Sequence, residues 1–167
     1  VYHHELFINN MLKLDVATLK ALPAFDARFI SEKFNKNNAL NIQAHTVSDR
    51  ARNKMNKANK DEEEIIDYFR NNKLEKEYFS SKNAKHYQYA KVLRVEKLCL
   101  KCHGKREDAP LFIKLRYDKS YDYKLGDVRA IVSVKIPRED INPYFINNLF
   151  HSIFYDIIFL IIVFFIS

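Results

Sequence analysis

Residues 128–137 read VRAIVSVKIP, and every second position from Val128 to Ile136 is apolar. An alternation with a period of two is typical of a strand that buries one of its faces. Pro137 ends the pattern because proline has no amide hydrogen to donate to a neighbouring strand. The stretch therefore predicts the main strand of a sheet, and we expect it to pair with a strand near residues 112–117.

The segments before this strand predict helices first and strands later. Residues 5–34 carry an apolar stripe at helical spacing, with Pro23 as a kink, and so predict a long N-terminal helix. Asp61 precedes three glutamates and is placed to cap a second helix. Residues 40–47 predict a short strand, and residues 87–95 alternate as a longer one. This order of elements predicts an α+β domain.

The C-terminal residues are almost uniformly apolar. Residues 149–166 read LFHSIFYDIIFLIIVFFI, and a helix of that length spans about 27 Å, close to the hydrocarbon thickness of a bilayer. Apolarity on all sides favours a transmembrane helix over the alternative, a buried core helix. We therefore predict a folded domain over residues 1–146 and a membrane helix over residues 147–167, together a fragment of a larger membrane protein.

Composition and charge exclude several classes of protein. The chain has 167 residues, a formal net charge of +7 and two cysteines, too few for a disulfide scaffold. Its basic residues are scattered among acidic ones, which argues against a nucleic-acid-binding surface. The sequence shows no paired carboxylates, no nucleophile triad and no glycine-rich phosphate loop. We therefore expect a domain that is not itself an enzyme.

Both cysteines lie in one short motif, CLKCH at residues 99–103. A zinc site would need a second pair of ligands at metal spacing, which the sequence lacks. A thioredoxin-type redox pair would not explain the histidine that follows the second cysteine. Attachment of c-type haem explains all three residues, because two thiols add to the haem vinyl groups and the adjacent imidazole binds iron. Haem is the favoured interpretation, and the other two stay open as alternatives.

Three stretches carry a resemblance to a known group of domains. They are SDRARNKMN at residues 48–56, CLKCHG at residues 99–104 and YKLGDVRAIVSVKIP at residues 123–137. In order and spacing they resemble the family of bacterial extracytoplasmic sensor domains that have a PAS-like fold and one c-type haem. That family is found on histidine kinases, chemoreceptors and diguanylate cyclases. The resemblance implies a PAS-like antiparallel sheet and a single covalent haem.

The haem hypothesis gives particular side chains a role. Cys99 and Cys102 would hold the cofactor covalently, and His103 would bind the iron from one side. Arg50 and Arg52 are candidates for contacts with the haem propionates, because a guanidinium group grips carboxylates with two hydrogen bonds. The candidates for the second iron ligand are His45, Met55, His86 and Met11, with an open or water-filled position as the alternative.

Covalent haem also predicts a location, partners and a function. Bacteria attach c-type haem outside the cytoplasmic membrane, so we expect a periplasmic domain anchored in the inner membrane, and a homodimer. The favoured function is a sensor that reads redox state or a diatomic gas and signals through the membrane helix. The alternative is a membrane-anchored cytochrome that transfers electrons. A signalling domain after Ser167 would distinguish the sensor from the cytochrome.

Overall fold

The computed structural model describes residues 23–166, which form four strands and five α-helices. The helices are α1 Pro23–Asn37, α2 Lys60–Asn71, α3 Leu100–His103, α4 Leu111–Arg116 and α5 Arg138–Ile166, and the strands are β1 Gln43–Val47, β2 Glu77–Ser80, β3 His86–Arg94 and β4 Val128–Pro137. The strands form one antiparallel sheet in the order β1-β4-β3-β2. The α+β class is confirmed, whereas residues 5–22 of the predicted helix and Met11 lie outside the described residues.

Strand β4 is the centre of the sheet, as its alternating pattern predicts. Ile131 pairs with Val47 of β1 on one side and with Val92 of β3 on the other. Its side chain is fully buried against α2, where Ile66 and Phe69 are buried to the same degree. Burying such large apolar side chains stabilises the fold by about 1.5–3 kcal/mol each.

Helix α2 begins with a capping box. The side chain of Asn59 accepts a hydrogen bond from the Glu62 amide at 3.0 Å, and Glu62 accepts one from the Asn59 amide at 3.1 Å. The helix is where the sequence predicts it, but the expectation that Asp61 caps it is wrong. Asp61 lies instead in the first turn, where its negative charge suits the positive end of the helix dipole.

The prediction that residues 112–117 form a strand beside β4 is wrong. Residues 111–116 form helix α4, which follows Pro110 as its N-cap residue. Ile113 is buried there with Ala109 and Tyr121 in a second small core, while Leu111 and Leu115 are exposed. The partner of β4 on this side is β3. The prediction failed because a short apolar run fits a helix and a strand equally well.

Helix α5 follows β4 without a linker. It begins at Arg138, so the chain is already helical before residue 147, where the sequence predicts the membrane helix to begin. The acidic Glu139 suits the start of the helix, where the dipole is positive. In the part of the chain that the structure describes, no helix is both long enough and apolar enough to cross a membrane. The predicted transmembrane helix over residues 149–166 is therefore not supported.

Candidate functional site

The CLKCH motif folds into two short consecutive turns. A 3-10 turn over Lys97–Cys99 leads directly into α3, which ends at His103. Cys99 and Cys102 are both free thiols and both partly buried. Gly104 ends the helix, and a Cβ atom there would lie 2.6 Å from the Leu100 carbonyl oxygen. The tight turn after the histidine therefore requires glycine.

His103 is held by one well-formed hydrogen bond. Its Nδ1 lies 2.9 Å from the carbonyl oxygen of Ser120. Because a carbonyl oxygen only accepts, Nδ1 carries the proton, and the lone pair is on Nε2. Burial lowers the pKa of His103 to about 4, and the nearby positive charges of Arg52, Arg129 and Arg50 contribute to the lowering. The imidazole is therefore neutral at physiological pH, the form that binds a metal.

The loop over residues 117–127 supplies the acceptor for His103. The amide of Tyr123 donates to the His103 carbonyl oxygen at 3.0 Å, and the amide of Asp122 donates to the Gly104 carbonyl oxygen at 2.9 Å. Ser120 and Asp122 both have positive φ angles, 63° and 62°, a conformation that is uncommon for residues other than glycine. The Tyr123 ring contacts the His103 ring edge-on, with the two ring centroids 5.8 Å apart. This loop therefore fixes the orientation of the imidazole.

The structure places Arg50 and Arg52 beside the CLKCH motif, where both donate to backbone carbonyl oxygens, and their contacts with haem propionates stay predictions. Nη2 of Arg52 donates to the carbonyl oxygens of Cys102 at 2.7 Å and of Ser120 at 3.1 Å. Nη2 of Arg50 donates to the Tyr121 carbonyl oxygen at 2.5 Å. Both guanidinium groups thus join the loop before α2 to the backbone around the motif.

A family model described as Tll0287-like matches residues 3–137 of the chain. The chain belongs to the Tll0287-like family. Among solved structures, it is similar to the crystal structure of the cyanobacterial haem protein Tll0287, with a TM-score of 0.65 and 22% sequence identity. The similarity covers 81% of this chain and 86% of that one, and at this identity it shows a shared fold. The curated proteins include no match.

Of the two alternatives to haem, zinc gains no support from the geometry of this Tll0287-like domain. Burial raises the pKa of the Cys102 thiol, so Cys102 is not an activated nucleophile, and a redox pair with Cys99 stays an alternative. Within residues 23–166, no group of three or more His, Cys, Asp or Glu side chains is arranged to hold a metal ion. Zinc needs four ligands in a structural site.

The two leading candidates for a second iron ligand lie around a separate cavity. The cavity has a volume of about 130 Å³ and is lined by His45 and Met55 together with residues of α1. Nε2 of His45 lies 2.8 Å from Oε1 of Glu62, a fully buried carboxylate. Met55 is 75% exposed. The cavity lining includes no residue of the CLKCH motif, and the ligand roles of both side chains stay predictions.

Sequence reasoning missed two residues of the site, Ser120 and Arg129. Ser120 offers a backbone carbonyl to His103, and any residue type has such a carbonyl, so no sequence signal could have found it. Arg129 lies at the start of β4, and its charge acts on His103. A signal existed there, since Arg129 is a charged residue in the buried part of the strand that decides the fold.

Proposed function

We propose that this chain is a haem-binding sensor domain with a PAS-like fold. Cys99 and Cys102 hold one c-type haem through thioether bonds, and His103 is the proximal ligand of its iron. The observation that carries the proposal is the hydrogen bond from Nδ1 of His103 to the Ser120 carbonyl oxygen. It leaves Nε2 unprotonated and fixes the ring beside the two thiols, as haem ligation requires.

Three further observations support haem at this site. Both thiols are partly buried and unpaired, so they are available to form bonds to the cofactor. Positive side chains surround His103, and haem carries two propionates that need cationic partners. Membership of the Tll0287-like family and the shared fold with Tll0287, which is named as a haem protein, point to the same group. When bound, the haem would supply an iron centre able to change redox state or bind a diatomic gas.

The connection between β4 and α5 gives a route by which the site can transmit a signal. Arg129 and Pro137 lie near the start and at the end of the same strand, and α5 starts at the next residue, Arg138. The Arg138 amide donates to the Lys85 carbonyl oxygen at 3.1 Å, which couples the start of the helix to the residue before β3. A change around His103 can therefore reach α5 through β4, which pairs with β3 without interruption from Ala130 to Pro137. A periplasmic location, attachment to the inner membrane and homodimerisation stay predictions.

Hydrogen exchange of the haem-loaded protein tests the sensing function. We expect amide exchange in the loop over residues 117–127 and at the end of β4 to change by severalfold between the ferric, ferrous and CO-bound ferrous forms. Strand β2 at the far edge of the sheet is the internal control and should not change. Identical exchange in all three forms would exclude sensing and favour the electron-transfer cytochrome.

A further inference from the structure

Arg129 lies at an irregular point in the pairing of β4 with β3. Leu93 pairs with Ala130, but the next residue, Arg94, pairs with Val128, so that Arg129 has no partner on β3. Such a bulge turns a side chain away from the regular pleat, and bulges are frequent beside binding sites. The bulge separates the direction of the Arg129 side chain from that of its neighbours Val128 and Ala130, which are buried in the core.

The backbone of Arg129 is joined to the loop that carries the other two arginines. The Ser48 hydroxyl donates to the Arg129 carbonyl oxygen at 2.7 Å, and Arg50 and Arg52 follow in that loop. Their guanidinium groups donate to backbone carbonyl oxygens around the CLKCH motif. They are therefore already engaged in holding the site together.

Arg129 differs from the other two in having an unused donor. Its Nε atom is buried and has no hydrogen-bond partner among the residues that the structure describes. A buried donor without a partner is costly and rare in folded proteins. The Ser48 hydroxyl that donates to the Arg129 carbonyl oxygen also accepts a hydrogen bond from the Arg50 amide at 3.2 Å. The Arg50 guanidinium lies over the Tyr123 ring, which in turn contacts the His103 ring edge-on, so these contacts connect Arg129 to the proposed haem site. A rigid cationic fork at such a position suits a carboxylate.

We propose that Arg129 binds a propionate carboxylate of the haem and thereby positions the cofactor against His103. The inference rests on the proposed haem-binding function and gives one of its contacts to a named residue. Arg50 and Arg52 then act on the protein backbone, and Arg129 on the cofactor.

The test compares two porphyrins that differ only in their carboxylates. The full chain, produced without haem and kept reduced, is titrated with ferric haem and with its dimethyl ester, and binding is followed by the Soret absorption. We expect the wild-type chain to prefer the free acid. Arg129→Gln should weaken binding of the acid by about tenfold, the scale of one lost charge-assisted hydrogen bond, and leave binding of the ester unchanged. Arg129→Lys keeps the positive charge but not the paired donors of the guanidinium group, and should lose part of the preference for the free acid over the ester.

Arg116→Gln is the matched control, because it removes an equal charge from an exposed position at the end of α4 and should leave both affinities unchanged. An equal affinity of the wild-type chain for acid and ester would overturn the role of Arg129 but not haem binding. If Arg129→Gln and Arg129→Lys each weaken binding of the acid and of the ester equally, the role of Arg129 would be overturned as well, but not haem binding. A wild-type chain that binds neither porphyrin would overturn this inference, and the proposed function would fall as well if the chain expressed with the haem-maturation machinery also lost its haem on acid-acetone extraction.

Discussion

His103 and Arg52 share one hydrogen-bond acceptor, the carbonyl oxygen of Ser120. The imidazole donates to it at 2.9 Å and the guanidinium at 3.1 Å. A donor with a full positive charge draws electron density from that oxygen, so it weakens the bond from Nδ1 and makes His103 a poorer electron donor to a bound metal. Arg52 therefore acts on the proposed iron ligand both through its charge and through this shared oxygen.

Both effects of Arg52 favour the reduced iron, which gives a prediction. In the haem-loaded protein, Arg52→Gln should lower the midpoint potential by about 50 mV, or about 1 kcal/mol for one electron. Spectroelectrochemical titration measures this shift. Arg116→Gln, whose charge is exposed and screened by solvent, should leave the potential unchanged. A potential that rises in Arg52→Gln would contradict the arrangement.

For single residues, the sequence predicts the chemistry of the proposed site better than it predicts the geometry of that site. Cys99, Cys102 and His103 stand out because three rare residues occur together in a spacing that one cofactor explains. The roles of Ser120 and Arg129 depend on a loop with positive φ angles and on a bulge. Neither feature follows from local sequence, because tertiary contacts decide both.

Among the elements, helix α2 is fixed to the sheet by one buried carboxylate. Oε1 of Glu62 accepts a hydrogen bond at 2.8 Å from the Ser133 hydroxyl of β4 and lies 2.8 Å from Nε2 of His45 of β1. Burial alone would raise the pKa of Glu62, but the hydrogen bonds from His45, Asn59 and Ser133 outweigh it and lower the pKa to about 2. The ionised form is thus the one that the fold stabilises.

Glu62 therefore makes the stability of the fold depend on pH. Its pKa in the folded state is below the usual value of 4.5, so its stabilising effect is complete above that value and is lost as the pH falls toward 2. We expect the free energy of unfolding of the wild-type chain to fall by up to about 3 kcal/mol over this interval because of Glu62. Denaturant titrations at several pH values measure it.

Glu62→Gln should flatten this dependence, since glutamine does not ionise. Glu64→Gln is the matched control, because Glu64 lies on the same helix and is exposed to solvent, and it should keep the wild-type slope. An unchanged slope in Glu62→Gln would contradict the proposed network.

Prediction of the elements succeeded for β4, where the apolar period is long, and failed for residues 111–116, where it is short. Strand β4 extends over ten residues with a regular alternation, and its strand state is confirmed. Residues 111–116 form only six residues of helix, and at that length a period of two and a period of 3.6 cannot be separated. Strand β2, only four residues long, has no sequence signal of its own, because its identity depends on pairing with β3.

In the whole molecule, one strand leads from the proposed haem site to helix α5. Four strands and α2 form the main core, while α4 and the loop over residues 117–127 form a smaller core in which Cys102 packs. The proposed haem site lies beside this smaller core, and β4 leads from it to α5.

The α+β class could be predicted from the sequence, because apolar patterns with a helical period come first along the chain and patterns with a strand period follow. The way in which distant loops meet around His103 could not be predicted, because those contacts join residues as far as 71 positions apart in sequence, as between Arg50 and Tyr121.

The central claim is that Cys99 and Cys102 hold one haem covalently beside His103. The most direct test is the intact mass and visible spectrum of the protein after acid-acetone extraction, with expression in a host that has the periplasmic haem-maturation machinery. We predict that the wild-type chain and Leu74→Ala, a change at a residue that is 94% exposed, retain the mass of one haem. The double variant Cys99→Ala and Cys102→Ala should lose it completely. Haem retained by the double variant, or stoichiometric zinc without haem in the wild-type chain, would contradict the account.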